Sequence, residues 1–398
     1  MAAVPEVELK KTAPAVEKAE MPEEKGLSED AVNKYTSAGQ VLAEVLKKFL
    51  PSVVAGKKVL DLCIEGDKTI TDAVAPLWNK AKNGAKIGKG IAFPTTVSVN
   101  NVVAHFTPLP SDPEVELKDG DVVKVMMGIQ LDGYAVTHAE TVILGDKADG
   151  LAADVTKAAY EAAQIAMRTL KIGGKNWDVT EAVEKVAKEY GCAGVEGMLS
   201  CQHEKNVTDG KKRIVINPSP EHRREHDTVT FAEGEVYGVD VLIVTGSDGK
   251  AKPDSSRTSV YKRGDVNYQL KMKTSRTVFS EIQKKAGAFP FTLRSLDDEK
   301  RARMGVSEAV AHGLLKAYDI VHTNSGTLVA EFFFTIALLP AGPLLLSPPP
   351  IWYSADKVKS EKSLQDETLK SLLTQPLRVA KKKKAKAAEG EAETKASA

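Results

Sequence analysis

The sequence predicts an α+β protein in which two related halves each combine a pair of helices with antiparallel strands. Three observations predict it. An apolar stripe at helical spacing runs through Val32, Tyr35, Ala38, Leu42, Val45, Leu46 and Phe49. The pair Asp132-Gly133 separates two apolar runs, as in a hairpin with a two-residue turn. Residues 328–339 are apolar almost without break, as expected of a strand buried on both faces.

Taken in order, residues 1–27 mix Glu, Lys, Ala and Pro without periodicity and read as a flexible leader. Ser28 followed by Glu29 and Asp30 caps the first helix, and Pro51 closes it. Further helices are predicted over Ile70–Lys80, Ala152–Leu170 and Thr180–Tyr190, the last ended by Gly191. Strands are predicted over Val122–Ile129, Ala135–Leu144 and Val236–Val244. The halves are then residues 28–145, and 152–245 joined with 328–339. Residues 246–303 break this rhythm as an inserted segment, so the body comprises 28–245 and 304–375. A short helix is expected around Ser360–Leu373, and residues 376–398 read as a disordered Lys-rich tail.

Composition narrows the function classes. A chain of 398 residues, 42% hydrophobic and 27% charged, has globular proportions. It lacks the run of about 18 apolar residues that a membrane span needs, so no membrane partner is expected. Cys63, Cys192 and Cys201 form no CxxC pair and read as thiols in a cytoplasmic or nuclear protein. The net charge of +1 conceals a partition: residues 246–303 hold 14 Lys and Arg against 7 Asp and Glu, and residues 375–398 hold 7 against 3. The remainder is acidic. Basic segments on an acidic body suit contact with a polyanion through limited patches.

Within 250–276, Lys250, Lys252, Arg257, Lys262, Arg263, Lys271, Lys273 and Arg276 face only Asp254 and Asp265, with Tyr261 and Tyr268 interleaved. Cations neutralise phosphates and tyrosines stack on unpaired bases, so the mixture suits RNA, with a solvated surface insertion as the alternative; charge alone supports only nucleic acid. The run Lys381, Lys382, Lys383, Lys384 with Lys386 reads either as a nuclear or nucleolar address or as a solubilising tail. His203, His222 and His226 lie among Lys, Arg, Glu and Asp and read as a solvated loop.

Five stretches carry a family resemblance. Val97-Ser98-Val99-Asn100-Asn101-Val102-Val103-Ala104-His105-Phe106-Thr107-Pro108, then Gly120-Asp121-Val122-Val123-Lys124-Val125 and Gly128, and later Gly234-Glu235-Val236-Tyr237, resemble type 2 methionine aminopeptidases. Gly197-Met198-Leu199-Ser200 and Leu270-Lys271-Met272-Lys273-Thr274-Ser275-Arg276 narrow the resemblance to the proliferation-associated and curved-DNA-binding proteins, non-peptidase relatives of those enzymes. The resemblance implies the pita-bread fold, with two pseudo-symmetric halves around a pocket. In the enzymes, two Asp, one His and two Glu hold a pair of metal ions that activate water. Here those positions fall on Met126, Thr137, Met198, Asp240 and Phe333. If Asp132-Gly133 centres the turn, Met126 pairs with Ala139 and Thr137 lies on that same face. Thioether and phenyl groups are no ligands for hard dications, so no cofactor is expected and the chain reads as a pseudoenzyme. Asp240 reads as a satisfied buried carboxylate and His105 as a core or pocket histidine.

The resemblance further implies docking on the large ribosomal subunit near the exit tunnel, roles in translation, ribosome biogenesis or growth, and contact with curved DNA. It also links an LxxLL segment, here Leu369, Leu372 and Leu373, to transcription co-regulators, although docking on the body's own core is the plainer reading. Cytoplasmic, nuclear and nucleolar location follows. The competing readings are an active metal-dependent methionine aminopeptidase and a nuclear transcriptional co-regulator.

Overall fold

The computed structural model describes residues 27–79 and 87–378. The leader, apart from Leu27, and the tail lysines Lys381 to Lys384 and Lys386 lie outside the described residues. Helix α1 (Glu29–Phe49) begins where its cap requires, with Ser28 Oγ accepting from the Ala31 amide at 3.2 Å. Helix α2 spans Val59–Val74, not 70–80. A Cβ on Gly66, at its centre, would lie 2.5 Å from Thr95 Oγ1, so this glycine lets α2 lie directly on strand β1 (Lys89–Val99). Strand β1 was not anticipated, because Pro94 argues against a strand. It is tolerated since β1 is an edge strand and Pro94 sits within a register irregularity.

Strands β2 (Val122–Leu131) and β3 (Tyr134–Ile143) form the expected hairpin. Asp132 and Gly133 both have positive φ, 53° and 86°, which is the mirror-image turn that matches strand twist. The second half repeats the helix pair in α3 (Gly150–Thr169) and α4 (Asn176–Glu189). Strands β4 (Cys192–Gly194), β5 (Met198–His203) and β6 (Arg213–Ile216), too short and polar to stand out in the sequence, follow. Next come α5 (Pro220–Glu225) and β7 (Val236–Thr245).

An inserted unit comes next: β8 (Lys252–Pro253), β9 (Val260–Arg263), α6 (Lys273–Lys285), β10 (Phe291–Thr292), α7 (Glu299–Ala311), β11 (Leu315–Ala317) and β12 (Val321–His322). The boundary read at 303 therefore falls inside α7, and the unit runs on to about 322. It was cut short because charge, not packing, marked its end. Its core joins Val278 and Ile282 of α6 to Ala302, Val306 and Ala309 of α7, over Phe291, Leu314 and Leu315. Gly305 permits this contact, since its Cβ would lie 2.5 Å from Val278 Cγ2. Arg294 ties the unit to the body: its guanidinium donates to Thr107 Oγ1 at 2.7 Å and to Asp67 of α2 at 2.5 Å.

Strand β13 (Val329–Leu339) then returns to the centre of the main sheet, followed by β14 (Gly342–Leu345) and helix α8 (Glu367–Thr374). The central path runs β1-β2-β3-β13-β7-β5-β6, with antiparallel pairing throughout. All four long helices cover one face. Leu42, Leu46, Phe49 and Leu62 pack on Val125 and Met127, while Ala159, Ala162 and Val183 pack on Val239, Val241, Phe332 and Phe334. Because strand residues alternate, Met126, Phe333 and Asp240 point to the opposite face.

Candidate functional site: a pocket at the seam of the two halves

Five neighbouring strands bring the five positions read as former ligands together. Met126 of β2, Ala139 of β3, Phe333 of β13 and Asp240 of β7 stand in one cross-strand row. Thr137 lies two residues along β3 from Ala139, and Met198 opens β5. All five line one cavity of about 310 Å³ together with His105. The seam crosses this row. Strands β3 and β13 are in register only at Phe333 and Ala139, and threonines bridge the gap on either side. Thr335 Oγ1 accepts from the Thr137 amide at 3.0 Å and donates to its carbonyl at 3.1 Å. Thr141 Oγ1 serves Glu331 likewise, accepting from its amide at 2.7 Å and donating to its carbonyl at 2.9 Å.

The donor set does not fit a pair of dications. Two thioethers, a hydroxyl and a phenyl ring stand where anionic oxygens and an imidazole would be needed. Asp240, the one remaining carboxylate, is engaged elsewhere. Its partner is Glu331, one pleat along β13; Asp240 Oδ1 and Glu331 Oε1 have no other hydrogen-bond partner. Burial first, then the neighbouring Glu331, pushes Asp240 well above the usual carboxylate range. Burial also raises Glu331, against the pull of Lys124 and the hydrogen bond from Asp240. The two carboxyls are thus coupled, and burial pushes both towards their neutral forms. Lys124, 1% exposed, donates from Nζ to the Asn100 carbonyl at 2.7 Å, and burial pulls it down to about 7. A coupled pair of carboxyls and a buried amine therefore sit beside the row of degenerate ligand positions.

His105 holds a left-handed backbone, φ 65°, and its ring lies 5.6 Å from Phe93 and 5.2 Å from Tyr318. His203 corrects the solvated-loop reading. It ends β5, is 4% exposed and lines the same cavity. A Cβ on Gly238 would lie 2.4 Å from its Nε2, so the glycine of the neighbouring strand makes room for the ring. Burial pulls both histidines down to about 4, leaving them neutral. His222 and His226 stay near the surface on α5, where His222 Nδ1 accepts from the Ser219 amide at 3.3 Å. Lys124, Glu331 and Tyr318 were not singled out as site residues in the sequence, and His203 was read as loop. The signal was there for two of them, since Lys124 and Glu331 are lone charges inside otherwise apolar strands.

The basic residues divide. Lys250, Lys252, Lys271, Lys273 and Arg276 are exposed. Lys262 is not available to a partner: β9 turns it inward, 5% exposed, onto Asp209. Arg257 is exposed but paired with Asp112 at 2.7 Å, and Arg263 is half-buried with its guanidinium over Phe279. Tyr261 is buried in the unit's core and Tyr268 is stacked on His312 at 3.8 Å, so neither offers an open face as read from sequence. Leu369 is buried, and Leu372 and Leu373 pack partly buried on the second-half core. The LxxLL segment is thus docked on the body and not presented to a co-regulator.

Comparison with known proteins agrees with this architecture. The model of metallopeptidase family M24 matches residues 33–251, ending where the inserted unit begins. The curved DNA-binding protein of Schizosaccharomyces pombe is 44% identical over 358 residues, covering 89% of this chain and 92% of that protein. Proliferation-associated protein A of Dictyostelium discoideum is 37% identical over 363 residues, covering 89% and 91%. The solved structure of a thermophilic Arx1 aligns with a TM-score of 0.82 at 30% identity, covering 89% of this chain and 100% of that one. The chain therefore belongs to metallopeptidase family M24, with its pita-bread fold, in the branch of the curved DNA-binding and proliferation-associated proteins.

Proposed function

We propose that this chain works by binding and not by cutting peptides, and that its inserted unit engages structured RNA on the large ribosomal subunit near the exit tunnel. The observation that carries the first part is the donor set at residues 126, 137, 198, 240 and 333, in which a single carboxyl remains among five ligand positions. Support for the second is the charge partition, with Lys250, Lys252, Lys271 and Lys273 exposed on a folded unit attached to an acidic body. The implied docking of the resembled family adds the ribosome. A curved DNA duplex is the second reading, favoured by the name of the S. pombe relative. On this account the chain acts in the cytoplasm and nucleus, nucleolus included, in translation, ribosome biogenesis or growth.

Ribosome co-sedimentation tests the proposal. The variant carries Lys250→Glu, Lys252→Glu, Lys271→Glu and Lys273→Glu. Arg276 is spared because its guanidinium holds the Leu270 and Lys271 carbonyls at 3.0 and 2.6 Å. The variant should stay folded and lose ribosome binding. For the parent, log affinity should fall with log salt by about 0.7 to 0.9 per phosphate neutralised, and the variant should flatten that slope. Unchanged affinity and slope in a folded variant would remove the unit from the interface. Binding to bent duplex DNA in preference to ribosomes would favour the second reading.

A further inference from the structure

The row of degenerate ligand positions lines an open cavity. At about 310 Å³ it lies at the lower end of small-molecule sites, roughly 300 to 1,000 Å³. Among the described residues no Lys or Arg lines it. Its two carboxyls are both answered from outside the cavity: Asp209 by Lys262 and Lys316, and Asp240 by Glu331. One wall is aromatic, where Phe93, His105 and Tyr318 meet ring to ring at 5.2 to 5.6 Å. Met126, Met198 and Phe333 line the cavity too, Met126 and Phe333 in one cluster with Phe93 and Tyr318. Among the residues that line it, His203 Nδ1, Thr208 Oγ1 and, its pairing with Glu331 apart, Asp240 Oδ1 are buried without a hydrogen-bond partner among the described residues.

We propose that this cavity binds an uncharged, mainly apolar, ring-bearing small molecule, seated against the aromatic rings and the methionines, with its single polar group on His203 and Thr208. Charge decides the class. A cationic ligand such as a peptide's terminal ammonium would leave water for a cavity with no uncommitted anion, and an anion would find no cation. A neutral ring displaces water from apolar walls and gains contacts with polarizable thioethers and ring faces. Its polar group satisfies buried atoms that otherwise stand unpaired, which rewards one hydrogen-bonding function and no more. The inference goes beyond ribosome binding, and either can fail without the other.

The test uses three probes of one shape and three charges: benzamide, benzamidinium and benzoate. Titrated into the full chain labelled at its methionine methyl groups, they are followed by carbon-13 NMR. The chain has eight methionines, and Met126→Leu and Met198→Leu assign the two that line the pocket. Benzamide should shift both methyls saturably, and the two charged probes should bind at least about tenfold more weakly. Tighter or equal binding of benzamidinium or benzoate would overturn the proposal. So would the absence of any saturable shift at Met126 and Met198, since the unmodified chain is the sample and folding is not in question.

Discussion

Lys124, Glu331 and Asp240 show most clearly what the altered donor set leaves buried beside the pocket. Three ionisable groups remain buried in the sheet: burial raises both carboxyls and lowers Lys124 to about 7, and the attraction between Lys124 and Glu331 opposes that at those two. Lys124→Met should therefore destabilise the chain by about 3 to 5 kcal/mol, since it strands the charge on Glu331. Lys124→Met combined with Glu331→Gln should recover most of that loss in urea denaturation. Equal loss in single and double variants would show that the stem of the lysine matters and its charge does not.

His203 gives a pH test at the same scale. Its folded value of about 4 lies below its ordinary 6.5. Between these values the unfolded chain binds a proton that the folded chain refuses, so the contribution is full above 6.5 and is lost as pH falls towards 4. The full effect is on the order of 3 kcal/mol. Asp240 and Glu331, raised instead of lowered, act in the opposite sense, so the useful quantity is a difference. His203→Gln should lose stability less steeply than the parent between pH 6.5 and 4.5. Parallel pH profiles would contradict a neutral buried histidine.

At the level of elements, legibility followed the strength of local patterns. Helix α1, the β2–β3 hairpin, β7 and β13 were readable because cap, turn and apolar period agree with one another. The register drawn from Asp132-Gly133 puts Met126 opposite Ala139, as observed. Strand β1 hid behind Pro94, and α2 was misplaced because Gly66 serves a close contact with Thr95 that no local rule reveals. Short strands β5 and β6 carry Lys and Arg around them, which is why His203 read as loop. The seam was not legible at all. Thr335 looks like any β-branched strand residue, yet its hydroxyl replaces ladder bonds between the halves. Thr335→Val should leave the Thr137 amide unpaired and cost about 1 to 3 kcal/mol in urea denaturation. A loss below a few tenths would mean that the two halves do not depend on that bridge.

Across the whole molecule, one sheet holds two half-cores together while a separately packed basic unit is attached through Arg294. The charge partition was legible in the sequence, but the way the unit closes was not, because α7 packs on α6 through Gly305 and Val278 and not through charge. Lys262 shows the same limit. Its charge suggested a partner outside the chain, and its strand turned it onto Asp209. The old catalytic row survives geometrically, so the question the fold leaves is chemical: whether these side chains hold metal.

Elemental analysis of the purified full chain after equilibration with cobalt, manganese or zinc, run beside release of methionine from a Met-Ala-Ser peptide, answers it most directly. The expected result is no stoichiometric retained metal and no methionine released above the rate in buffer. Stoichiometric metal lost on Phe333→Ala or Asp240→Ala, with cleavage abolished by a chelator, would contradict the account.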